Sequence, residues 1–96
     1  MIEQGKIYTN VMINELHVSR NGDAFDISFS FVSDGNKESA LLLGVRDPSN
    51  LHEILSAERL WVEAINNRQL EFGRYVLGIS HEYFTELGFD ELSSDS

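Results

Sequence analysis

The sequence predicts an α+β domain: an antiparallel β-meander of three to four strands, a main helix packed on one face, and a short C-terminal helix. Three observations lead there. Phe25, Ile27, Phe29 and Phe31 recur at every second position, as on one face of a strand. Two glycine-bearing turn sequences, Asn21-Gly22 and Asp34-Gly35-Asn36, divide the N-terminal half into three segments. Leu51, Ile54, Leu55, Trp61, Val62 and Ile65 share one side of a helical wheel.

The first strand lies within Lys6 to Ser19, which carries Ile7, Val11, Ile13, Leu16 and Val18. A two-residue loop at Asn21-Gly22 sets Val18 opposite Phe25 and Leu16 opposite Ile27, because both central residues of a type I′ turn need positive φ. That register, continued, turns Ile13 and Val11 away from the aromatic face. One extra residue near Asn14-Glu15, a β-bulge, restores Ile13 against Phe29 and Val11 against Phe31. A third strand follows from Ser39 to Arg46. Ala40, Leu42 and Gly44 join the aromatic face, whereas Leu41, Leu43 and Val45 point away and need a cover.

Asp47-Pro48-Ser49-Asn50 opens the main helix, with proline where a helix start tolerates it and Asn50 and Glu53 at capping-box spacing. This helix buries Trp61. Glu58 falls in the middle of the apolar stripe, so either the helix breaks near Ser56 or Glu58 faces the core. Leu70 to Ile79 reads as a further strand. Ser80 caps a last helix from His81 to Leu87, stopped by Gly88. The domain spans residues 1–89, and residues 90–96 form an acidic, frayed tail.

The chain has 96 residues, enough for one core and too few for two. Hydrophobic residues make up 42%, which argues for a folded domain over wholesale disorder. Lys+Arg number 7 against 16 Asp+Glu, a formal charge of -9. A field of that sign repels phosphate backbones and anionic lipid, so no direct nucleic-acid or membrane partner is expected. Cysteine is absent, which removes disulfides, thiol nucleophiles and sulfur-ligated zinc. The N-terminus lacks a signal peptide's pattern, and the longest apolar run, Ala40 to Val45, is too short to span a bilayer. A cytoplasmic protein is expected.

No phosphate-cradling glycine motif occurs. Gly78-Ile79-Ser80-His81-Glu82 starts like a nucleophile elbow, but Glu82 stands where a glycine must let the chain turn. His17, His52 and His81 include no pair at the spacing that brings two imidazoles to one metal, so no metal or other cofactor is expected. His17 reads as a surface partner of Asp26. The aromatic side chains Phe25, Phe29, Phe31 and Trp61 read as core, since no Lys or Arg is interleaved with them.

Charge distribution is the unusual feature. Beyond Arg74 there is no Lys or Arg, while Glu82, Glu86, Asp90, Glu91 and Asp95 alternate with Tyr83, Phe84 and Phe89. The ordinary reading is a solvated, solubilising face. The sharper one is an acidic surface with aromatic anchors, formed by Tyr75, Glu82, Tyr83, Glu86, Asp90 and Glu91, that docks a basic protein. Three functions follow. The first is a small inhibitor binding a basic protein one to one: an immunity protein neutralising a toxin nuclease, or a phage-type inhibitor of a host nucleic-acid enzyme. The second is a structural accessory domain that dimerises through Leu41, Leu43 and Val45. The third is an enzyme with a non-local carboxylate and histidine site, for which Glu58, His52 and Glu63 are the candidates.

Overall fold

Strand structure dominates the computed structural model, which describes residues 1–65 and 74–93. The strands are β1 (Val11–Asn21), β2 (Ala24–Ser33), β3 (Asn36–Val45), β4 (Arg59–Ala64), β5 (Tyr75–Ser80), β6 (Phe84–Phe89) and β7 (Glu91–Leu92). A single 3-10 helix, Pro48–Ser56, is the only helical element among the described residues. All ladders are antiparallel and form two sheets, ordered β1-β2-β3-β7 and β4-β5-β6. The α+β expectation is therefore corrected to a mainly β fold.

The meander forms as expected, with its register displaced. Asn21 pairs with Ala24, so the first loop is Gly22-Asp23 and Val18 meets Ile27 rather than Phe25. Only Gly22 has positive φ there, the pattern of a type II′ turn. The turn with two positive-φ residues is the second one, Asp34-Gly35 (φ 50° and 83°). The bulge falls where the pattern demanded it, between Ile13 and Glu15. Asn14 is the extra residue, and Ile13 faces Phe31 while Val11 faces Ser33. His17 lies opposite Ser28 and bonds Glu15 at 3.3 Å, not Asp26.

A second register shift, between the pairs Phe25–Val45 and Ile27–Leu42, changes the third strand. Gly44 takes φ +78° there, which a side-chain-bearing residue resists. The extra residue turns Val45 inward, where it is fully buried beside Leu42 and Ala40. Leu41 and Leu43 alone remain half-buried on the outer face. The apolar strip proposed for dimerisation thus loses Val45 to the core.

Beyond the 3-10 helix the chain departs from the helical expectation. Asp47 is the N-cap, its side chain accepting from the Ser49 amide at 3.1 Å, and the helix ends after three turns of 3-10 geometry. From Arg59 onward Leu60 and Val62 point inward while Trp61 and Glu63 point outward. Tyr75–Ser80 is a strand as read, and residues 66–73, which held the start of that reading, lie outside the described residues. The last expected helix is strand β6, because Thr85, Leu87 and Phe89 alternate onto the core. Residues 90–93 are not frayed: the Asp90 amide donates to the Leu43 carbonyl at 2.9 Å, and Leu92 pairs with Leu42. Residues 94–96 lie outside the described residues.

The two sheets enclose one core, in which Phe31, Phe89, Leu42, Leu60, Leu77 and Ile79 are fully buried. Each contributes about 1.5–3 kcal/mol of apolar transfer free energy. Both seams between the sheets are stitched. Tyr8 and Leu60 exchange amide bonds of 2.8 and 3.0 Å, covering the free edge of β4, and the Val11 amide reaches the Glu58 carbonyl at 3.1 Å. At the other seam the chain crosses from β6 into β7, secured by Arg46 and Asp90 at 3.1 Å. Covered edges protect short sheets from intermolecular pairing.

Candidate functional site

The outward face of the β4-β5-β6 sheet carries the exposed aromatic groups. Register places Arg59, Trp61 and Glu63 of β4 beside Ser80, Gly78 and Val76 of β5, and these beside Phe84, Glu86 and Gly88 of β6. The Trp61 and Phe84 rings lie nearly parallel, 5.5 Å apart with 8° between their planes. They meet across β5 because Gly78 has no side chain: a Cβ there falls inside the Trp61 indole. Phe84 is 55% exposed, yet it is held in a ring pair over backbone. Glu63 and Glu86 project from the same face and are both exposed. Trp61, read from the sequence as core, is half-buried on this outer surface.

The turn leading into β6 is anchored by a buried carboxylate. Glu53, on the 3-10 helix, is 8% exposed. Its Oε2 bonds the His81 Nε2, and its Oε1 accepts from the Tyr83 hydroxyl at 3.0 Å and lies 2.9 Å from the His52 Nε2. His81 also packs edge-on against Tyr83, with ring centroids 4.6 Å apart. Asn50 adds a bond from its Nδ2 to the Glu86 carbonyl at 3.4 Å. The His81 hydrogen bond holds the Glu53 carboxyl below its ordinary value, outweighing desolvation, with Tyr83 adding to the lowering. Reciprocally, the Glu53 carboxylate raises the Tyr83 phenol pKa, since ionising the phenol would sacrifice that bond and set two anions together.

A carboxylate on one imidazole nitrogen is the orienting half of an acid–base pair. Among the described residues no hydroxyl bonds the ring's other nitrogen, and Glu53 spends both oxygens on the protein itself. What the cluster does is fix the Tyr83–Phe84 corner to the 3-10 helix.

The residues singled out from the sequence do not form one surface. Glu82, Tyr83 and Glu86 are exposed around the β5–β6 corner. Tyr75 instead faces inward and stacks on Phe89 at 5.5 Å. Asp90 is engaged by Arg46, and Glu91 lies opposite Leu43 on the other sheet. The enzyme candidates are likewise dispersed. Glu58 is exposed at the start of β4, Glu63 is on the outer face, and His52 contacts Glu53. Sequence reading missed Glu53, His81 and Phe84. The first two come together across 28 residues with no local signal, whereas Phe84 was visible as an aromatic among acids.

Elsewhere, Glu15, His17, Ser28, Ser30, Ser39 and Leu41 line a shallow groove of about 240 Å³ on the outer face of the four-stranded sheet. Among the described residues no group of three or more His, Cys, Asp or Glu is placed to hold a metal, and no helix is long and apolar enough to cross a membrane.

Comparison with known protein families, curated proteins and solved structures returns no match. Neither the fold nor these comparisons offer any support for immunity or toxin inhibition.

Proposed function

We propose that the chain is an acidic protein-binding module, working without a cofactor in the reducing cytoplasm, whose partner is a basic protein. The observation that carries this reading is the outward-facing Trp61–Phe84 pair, half-buried and exposed respectively, with Glu63 and Glu86 on the same sheet face. Large aromatic groups rimmed by charge are the usual make-up of an interface centre, supplying contact area at small entropic cost. The carboxylates steer a cationic partner to that face, and the excess of 16 acids over 7 bases extends the attraction beyond contact range. The anchored corner keeps Phe84 in place before the partner arrives, which lowers the ordering cost of binding.

The test follows Trp61 emission while a lysine- and arginine-containing basic peptide is titrated in. The chain has a single tryptophan, so the signal comes from this face alone. Saturable binding that weakens with added salt, and weakens again in the Glu63→Gln/Glu86→Gln double variant, supports the reading. Unchanged emission, or binding indifferent to salt and to both substitutions, contradicts it.

A further inference from the structure

Resting on that reading, we infer that the Trp61–Phe84 pair is the seat of one arginine side chain presented by the basic partner. The two rings are stacked within 8° of parallel and Phe84 is 55% exposed, so the pair offers solvent an aromatic surface that suits a planar guanidinium better than a compact, strongly hydrated ammonium. Glu86 is in register with Trp61 across Gly78, about 10 Å away at two strand spacings. Glu63 follows Trp61 on the same face of β4 at about 7 Å. A guanidinium over the rings therefore has a carboxylate on each of two sides, within reach of its forked donors.

Among the described residues the chain's own cations leave this ring pair open. Arg59, in the row of Ser80 and Phe84, and Arg74, two residues before Val76, share the face, yet both are exposed and neither makes an ion pair or ring contact among the described residues. Among the described residues the cation–π contact present is Lys6 over Tyr8, at the far side of β4. Stacking is moreover sustained from beneath, because Gly78 lets the indole rest on β5 backbone and the Glu53 cluster pins the corner that carries Phe84.

The experiment compares two peptides of equal length and charge, one with arginine and one with lysine alternating with glycine. Trp61 emission and the Trp61 indole N–H resonance are the readouts. Arginine peptide is expected to bind about threefold to tenfold tighter, with the indole resonance displaced by it and little moved by lysine. Phe84→Leu keeps apolar bulk and removes the ring, so it should erase the arginine preference while salt-sensitive binding persists. Equal affinity for both peptides with a stationary indole resonance overturns the arginine seat and leaves the acidic binding module standing. Binding of neither peptide overturns both. Concentration-dependent dimerisation that itself shifts the indole resonance, seen by light scattering, also overturns the seat, because a second copy then covers the ring pair.

Discussion

Gly78→Ala tests whether Trp61 lies on the sheet surface. Gly78 is buried on the central strand of its sheet, and its φ is not in the left-handed region, so alanine is acceptable to the backbone. The three atoms nearest the added methyl all belong to the indole, Cε2, Nε1 and Cζ2, so the indole must swing off Phe84. Three contributions set the magnitude. Losing the ring pair costs about 0.5–1.5 kcal/mol. Exposing roughly 40–80 Å² of indole adds about 1–2 kcal/mol. Replacing glycine in a strand returns about 0.4–1 kcal/mol through the unfolded chain. The net is a destabilisation of about 0.5–3 kcal/mol, with red-shifted Trp61 emission and inward-facing Leu77 and Ile79 undisturbed. Urea unfolding followed by fluorescence and far-ultraviolet dichroism measures both. In Phe84→Leu the ring pair is already gone, so the two substitutions together should cost less than their sum. An unchanged emission maximum refutes the placement of Trp61, and so does a loss above about 4 kcal/mol, the mark of a fully enclosed ring.

Other substitutions probe separate parts of the account. Glu53→Gln lowers Tm at neutral pH, because the charged carboxylate is what His81 and Tyr83 bind. Glu53 has its folded pKa lowered from the ordinary 4.5, so its contribution is complete above that value and is lost as pH falls through the lower folded one; the gap in Tm between wild type and Glu53→Gln should close over that acid range. Gly44→Ala forces a left-handed φ on alanine and drives its methyl to 2.6 Å from the Asp90 Oδ2, costing about 1–3 kcal/mol in urea unfolding. Phe89→Ala empties a fully buried site and should cost about 3–5 kcal/mol by the same assay. Arg59→Gln removes the cation placed in the row of Phe84 on the aromatic face, and basic peptides should bind it more tightly than wild type, by about twofold to fivefold in titration.

Alternation made the N-terminal half legible. With Phe25, Ile27, Phe29 and Phe31 on one face, the polar gap at Asn14-Glu15 required a bulge, and a bulge is there. The turn type was assigned to the wrong glycine, since Asn21-Gly22 and Gly22-Asp23 loops differ only in which pairing the core prefers. Residues 59–64 were misread because Trp61, Val62 and Ile65 complete a helical stripe with Leu51, Ile54 and Leu55, while the competing alternation of Leu60, Val62 and Ala64 is only three residues long. Glu58 in the apolar stripe marked the break, and the chain does leave its helix at Ser56. Residues 84–89 were ambiguous for the same reason, with Gly88 read as a helix stop although it sits within a strand. The Glu53 cluster had no local signature. Glu53 looked like a capping partner of Asn50, and only tertiary folding brings it to His81 and Tyr83.

The most direct measurement is an amide chemical-shift map of the isotopically labelled chain titrated with an arginine-containing basic peptide. Perturbations concentrated at Arg59–Glu63, Ser80 and Tyr83–Glu86, fading as salt is raised, are what the account predicts. Shifts confined to the Ser28, Ser30 and Ser39 groove on the opposite sheet, with Trp61 and Phe84 silent, would contradict it.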